Sequence, residues 1–490
     1  MLEAVLLRST SNGIRFSISD LSEPRSRLLP CVYRERQGIS LYDALHESKP
    51  DSKAFHFSQA VINAVSKTLA RFRLICDQYN VPPHQITVFA TEAMRTAKNR
   101  DDMLEAIYKA SGLVVNILSP AMESLFGAMG ARSGYGHVDG LFMDLGGGSV
   151  QMTYVNSKDS SYDILAAKVA QSLPFGAAKL TEVINSQTQS LSTKQELQNR
   201  MKQTFQDLKS QFPALETQAN SPEGITIYFC GGGFRGYGSM LMHMHEVQPY
   251  PIPDIGGFTV PGAQFTQTKA MLKANDQEGK VFGMSKRRRQ QFPAIVMVVD
   301  ALIQAIPRIS QVVFCSGGNR EGVLYMKLPL LVRESDPLQI LPGCLDSRPG
   351  ASADAIVSVL SESLPDTCPS IFSANLLRYI ACQTWINMGA SDDTNSAKAL
   401  HCPISGLIAG LPGLTHRIRA VIALTMCARW GTDLGPIDRL LYSNLRQLVG
   451  ASTSFWCDHV GTVARLLANV LPAYPTDKEL LQRTIRWVIY

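Results

Sequence analysis

The chain has 490 residues, of which 45% are hydrophobic and 18% charged, with a formal net charge of +6. That length and apolar content support a large core shared by two or three domains, and a charge of +6 does not call for nucleic acid or a membrane surface. Ten cysteines stand as singles with no CxxC pair, which fits reduced thiols in an intracellular protein better than a disulfide scaffold or a zinc ribbon, and the reading is of a cytoplasmic protein. The opening "MLEAVLLRST" lacks the cationic start of a signal peptide. The longest apolar stretch, residues 294–306, is interrupted by Asp300 and Gln304 and is too short to span a bilayer.

Along residues 1–325, strand-like apolar runs alternate with helical patterns, which predicts an α/β architecture. Four of the apolar runs end in small residues. "LLRSTSNGIRFSI" (6–18) and "FMDLGGGSVQMTY" (142–154) resume an alternating pattern after the turn and read as hairpins. "ITIYFCGGGFRGYG" (225–238) and "VVFCSGGNREGVLY" (312–325) continue into helical sequence. Residues 185–215 carry Ser and Thr ahead of an amphipathic run and predict a capped surface helix. "SKRRRQQ" (285–291) reads either as a solvated helix face or as a basic patch for polyphosphate or nuclear import. Beyond a Pro-rich passage at 327–350, "THRIRAVIALTMCARW" and "LRQLVG" predict an all-helical tail reaching Tyr490. His401, His416 and His459 in that tail have no His-Asp pair at the spacing of a metal site.

The hairpin turn at Asp144 carries the chemistry. Gly146, Gly147 and Gly148 let backbone N–H groups converge on an anion, because no Cβ blocks the approach. The glycines do not open a helix as in a dinucleotide fingerprint, and no Lys-Ser/Thr of a P-loop follows. An acid beside an anion nest repels phosphate unless a cation or a reacting water lies between them, so Asp144 points to a magnesium-phosphate site. Gly231, Gly232 and Gly233 form a second nest at a helix start.

In sequence order, "SNGIRFSI", "FATEAMRTAKN", "ILSPAMESLFGAMG", "DLGGGSVQ", "SLPFGAAKLTE" and "SGGNREGVLY" make the chain resemble the Ppx/GppA family of exopolyphosphatases and guanosine pentaphosphate phosphatases. The wording of "LGGGSVQMTYV", "GGGFRGYG" and the tail is similar to a fungal branch of that family. The resemblance implies a two-lobed actin-like ATPase (ribonuclease H-like) fold with an additional C-terminal helical domain, divided as 1–130, 131–326 and 327–490. It also implies a cytoplasmic regulator of mitochondria-to-nucleus signalling and of nitrogen and glutamate metabolism. Its ligand would be ATP, a guanosine polyphosphate or inorganic polyphosphate with magnesium. It would act through a regulatory protein partner, with a homodimer allowed, and with no nucleic acid or membrane involved. Carried over by position, Glu123 handles the attacking water and Asp144 is the metal-side acid. Ser11, Asn12, Arg15, Arg95, Ser149, Gln151 and the two glycine nests hold phosphate.

Three stretches depart from that pattern. Arg8 stands where the first hairpin should begin with Asp, and Thr10 where glycine is expected; either this nest has lost catalysis or the natural start differs from Met1. Gln151 replaces a glutamate, keeping its reach without its charge, and Pro120 and Met122 leave Glu123 without a paired acid. Hydrolysis should therefore suffer more than binding.

Overall fold

The protein is described by a computed structural model for residues 1–9, 13–46, 55–186, 190–277, 279–345, 350–387, 389 and 391–475. Two compact units result, Met1–Leu241 with Gly257–Glu334, and Met242–Gly256 with Ser335–Tyr490. Ser11 and Asn12, assigned above to phosphate, lie outside the described residues, as does Thr10.

In the first unit, β1 (Leu2–Ser9), β2 (Gly13–Asp20), β3 (Cys31–Gln37), β4 (Ile86–Ala90) and β5 (Val115–Ile117) form one sheet in the order β3-β2-β1-β4-β5. A second sheet joins β6 (Asp139–Leu145), β7 (Val150–Asn156), β8 (Gln171–Leu173), β9 (Ile225–Cys230), β10 (Phe258–Pro261) and β11 (Ile309–Phe314) in the order β10-β11-β9-β6-β7-β8. In each sheet a hairpin (β1–β2, β6–β7) has an antiparallel strand on one side and two parallel strands on the other. The duplicated order is the two-lobed actin-like plan, with β10 added at one edge. The two hairpins and the two strand-to-helix turns read from the sequence are all present. β7, "VQMTYVN", is buried along nearly its whole length because helices cover both faces of its sheet.

The helix Ser190–Gln211 corrects one expectation. It is not simply a surface helix: Leu197, Met201, Phe205 and Leu208, at helical spacing, are fully buried.

The lobes share a core in which Val5 and Phe89 of the first sheet pack with Leu125, Met129, Phe142, Val313 and Tyr325. Two helices, Pro120–Arg132 and Asn319–Lys327, run through it in backbone contact. A Cβ added at Gly130 would lie 2.0 Å from the Gly318 carbonyl oxygen, and one at Gly322 would lie 1.9 Å from that of Phe126. Glycine is required there because the helices touch through their main chains, so the elements carrying Glu123 and Arg320 sit in fixed relation.

In the second unit every element among the described residues is helical. The helix His416–Arg429 is buried on nearly all sides, and Thr415 caps it by accepting from the Ile418 N–H. It packs on the helix Ala451–Val470, where a Cβ at Gly461 would stand 2.5 Å from the Thr425 carbonyl. His416 hydrogen-bonds the Tyr250 hydroxyl at 2.7 Å through Nδ1 and the Asp254 carbonyl at 2.7 Å through Nε2. Among the described residues no helix is long and apolar enough to cross a membrane.

Two outcomes follow from these contacts. Gly130→Ala should cost about 2 kcal/mol or more in denaturant unfolding despite its better helix propensity, because its methyl meets backbone that cannot rotate away. Gly279→Ala, facing open space, should cost nothing. Burial, reinforced by Arg419, lowers the His416 pKa from the ordinary 6.5 to about 3. Its neutral form therefore stabilises the helical unit above about pH 6.5, and this is lost as pH falls from 6.5 toward 3, by up to about 1.4 kcal/mol per pH unit. Amide exchange in the helix His416–Arg429 should accelerate over that window, and His416→Gln should flatten the dependence.

Candidate functional site

The site is built at the carboxyl ends of the strands, where an open α/β sheet leaves its turns free for a ligand. A cavity of about 480 Å³ collects residues following β4, β5, β6, β9 and β11. Asp144, at the end of β6, pairs in register with Gln151 on β7 and Cys230 on β9. Gly231 has φ +84°, and a Cβ there would fall 2.1 Å from Asp144 Oδ1. Only glycine lets the helix Gly231–His243 begin this close to the carboxylate.

The turn Gly146–Gly148 is held by its carbonyls. The amides of Gly176, Ala177 and Ala178 donate to Gly148, Gly146 and Gly147 at 3.0, 3.0 and 2.9 Å, and the Gly146 N–H closes on the Ser149 carbonyl at 3.0 Å. Among the described residues the amides of Gly147 and Gly148 meet no acceptor, so they are the groups that the turn offers to a ligand. Gln151 is buried and donates from Nε2 to Ser149 Oγ at 2.8 Å. Gly146 and Gly147 also line a smaller recess with Gly232, Gly233, Arg36 and Arg288, the last belonging to the "KRRR" helix.

Glu123 stands in the first turn of its helix, behind the Ser119 cap and with Pro120 as the first helical residue. Arg95 donates to Glu123 Oε2 at 2.9 Å and to the Leu118 carbonyl at 2.6 Å, so this guanidinium orients the acid. Burial pushes the Glu123 pKa up to about 7 against the pull of Arg95, with Asp144 and Glu92 adding to the rise. Burial likewise raises Asp144, opposed by Arg235, by a Cys230 hydrogen bond and by Arg15. Two acids with raised proton affinity in one cleft, Glu123 near neutrality, are suited to proton transfer.

Sequence reasoning missed most of the cleft's cations. Besides Arg15, the cavity is lined by Arg34, Arg36, Arg235 and Arg320. Arg36 on β3 is directly opposite Arg15 on β2, a like-charge pair that destabilises a sheet unless an anion lies beside it. Burial first, then Arg235, Arg320 and Arg36, lowers the Arg15 pKa to about 10, and Glu321 relieves only part of this. Arg15 Nε and one terminal nitrogen of Arg320 are buried without a hydrogen-bond partner. Arg235 holds the turn after β11, donating to the Cys315, Ser316 and Gly317 carbonyls. Period-two spacing in "CVYRERQ" places Arg34 and Arg36 on one strand face, a signal that could have been read; nothing local marks Arg235 or Arg320. Arg8 lies in β1 in register with Ile14 and Ala90.

Residues 20–331 match the model of the Ppx/GppA phosphatase family, and residues 346–489 match the RTG2 C-terminal domain. The chain is 32% identical over 483 residues to Retrograde regulation protein 2 of Saccharomyces cerevisiae, covering 94% of this chain and 80% of that one. It is 34% identical over 99 residues to Exopolyphosphatase 1 of Mycobacterium leprae, 20% of this chain and 27% of the relative. The crystal structure of the Aquifex aeolicus Ppx/GppA family member superposes with a TM-score of 0.50 at 18% identity, covering 66% of this chain and 96% of that one. The chain belongs to the Ppx/GppA phosphatase family and shares both its parts with Retrograde regulation protein 2.

Proposed function

We propose that this chain is a regulatory sensor of mitochondria-to-nucleus and nitrogen/glutamate metabolic signalling, acting in the cytoplasm by binding a phosphate chain in its phosphatase-like cleft. One observation carries the reading: five arginines line a single cavity, two of them paired face to face and two with buried nitrogens lacking a partner. A polyanion relieves that repulsion and completes those donors at once. Among the described residues no aromatic or large aliphatic side chain lines the main cavity. A base would find no stacking surface there, which favours inorganic polyphosphate over a nucleotide. The regulatory part rests on the relative's name and on the extent of the shared sequence. Occupancy would reach a protein partner through movement of the lobes.

Magnesium fits here only as a companion of the ligand. Among the described residues no three acidic, His or Cys side chains converge to hold a metal, and Gln151 supplies no charge. Asp144 would be its protein ligand, with phosphate oxygens and water completing the shell, and the ion would offset phosphate charge. Arg15, Arg36, Arg235 and Arg320 hold the chain, and the Gly147 and Gly148 amides hold its end.

The raised proton affinity of Glu123 favours a second reading, a phosphohydrolase. Glu123, oriented by Arg95, would accept a proton from a water attacking the terminal phosphorus, while the arginines stabilise charge on the departing chain.

Two measurements separate the readings. Phosphate release from polyphosphate, ATP and guanosine pentaphosphate with magnesium should not exceed that of Glu123→Ala if the chain is a sensor. A hydrolase would release phosphate at a rate that rises as pH passes about 7, where Glu123 loses its proton, and the variant would abolish it. In calorimetry, Arg320→Ala should weaken tripolyphosphate binding at least about tenfold, the loss of one charge-assisted contact. Unchanged affinity would remove the arginine cluster from the account.

A further inference from the structure

One arginine of the smaller recess is tied to the opposite lobe. Arg287, in the helix Lys286–Gln290, lines that recess with Arg36, Arg288 and Gly147, and its Nη2 donates to Asp43 Oδ1 at 2.8 Å. Asp43 stands in the helix Leu41–His46 after β3, which Leu41 and Leu45 anchor in the core of the first sheet. Arg287 belongs to the second lobe, where the helix Phe292–Ala305 that follows it is mostly buried. The ion pair therefore joins the two lobes beside the recess. The neighbouring Tyr42 is buried and makes a second tie, donating to Glu182. Glu182 lies on the helix Ala177–Ser186, whose first amides hold the carbonyls of Gly146 and Gly147.

Resting on the polyphosphate reading, we infer that the Asp43–Arg287 pair is a clasp between the lobes that a phosphate group in the recess releases. The recess is continuous with the main cavity, since Arg36, Gly146 and Gly232 line both. A chain lying along Arg15, Arg36 and Arg320 can thus bring its end to Gly147, Arg287 and Arg288. The side chains of Arg287 and Asp43 are 41% and 38% exposed, so water screens their pair and it holds weakly. A phosphate pairs a guanidinium through two oxygens and draws on Arg36 and Arg288 together, so it outcompetes Asp43 for Arg287. Loss of the pair loosens the helix Leu41–His46 from the second lobe, which turns occupancy into lobe movement.

A double-mutant cycle on the full chain tests this. Tripolyphosphate is titrated calorimetrically into the wild type, Asp43→Asn, Arg287→Ala, the double variant and Arg320→Ala, each checked by thermal melting. Asp43→Asn should tighten tripolyphosphate roughly two- to fivefold, the strength of an exposed pair, and should gain nothing in the Arg287→Ala background. Tripolyphosphate should also speed amide exchange in the helix Leu41–His46 of the wild type, whereas Asp43→Asn should exchange fast without ligand. An equal gain in both backgrounds would overturn the inference, since Asp43 would then act as a general repulsive charge. Slowed or unchanged exchange on binding would overturn it too, because the clasp would have survived occupancy. If tripolyphosphate binds the wild type and Arg320→Ala weakens it, but Asp43→Asn gains nothing, the clasp fails and the cleft reading stands. If no variant binds tripolyphosphate, both fall.

Discussion

Five guanidinium groups share one cavity, and their mutual repulsion is the constraint to which the rest of the cleft responds. Arg15 and Arg36 stand opposite one another across a strand pair, where like charges weaken a sheet. Glu321 answers part of this. Burial pushes its proton affinity up, but Arg320 and Arg34 outweigh that and keep it ionised, and it also caps its own helix through the Gly318 N–H. The remainder is positive charge held by a rigid frame, and the helix contact at Gly130 and Gly322 supplies that rigidity. Glu35, Glu123 and Asp144 line the same cavity with Glu321, so the five arginines exceed its acids by one, and an anion would lower their energy further.

This balance also accounts for Gln151. In a cleft with more carboxylates, a glutamate there would cancel cationic charge and bind metal. As an amide it donates to Ser149 and adds no negative charge to the arginine field. Glu123 and Asp144 persist within it, and their raised proton affinities keep hydrolysis chemically open.

Much of this was legible in the sequence because it is local. The alternation on either side of "GGGS" specifies the β6–β7 hairpin, and the apolar run before "GGGFRGYG" specifies a strand that gives way to a helix. Asp144 was legible as an acid beside the glycine turn and Glu123 only through the family resemblance, and the structure brings both into one cavity. What was not legible depends on distance along the chain. Arg320 matters because it faces Arg15 across more than three hundred residues and Glu92 because it reaches Gly148, while Arg95, assigned to phosphate, instead bonds Glu123 and does not line the cavity. No periodicity encodes such meetings. The burial of Ser190–Gln211 was missed for another reason: four apolar residues among many polar ones look like a surface pattern until a neighbouring helix covers them. The segment Met242–Gly256 groups with the helical unit through contacts such as Tyr250 to His416, which the local sequence does not announce.

The most direct measurement is a crystal structure of the full chain with tripolyphosphate and magnesium. The account places phosphate oxygens within hydrogen-bond reach of Arg15, Arg36 and Arg320, with the terminal group at the Gly147 and Gly148 amides. Tripolyphosphate bound elsewhere, with these arginines unmoved and unpaired, would contradict it.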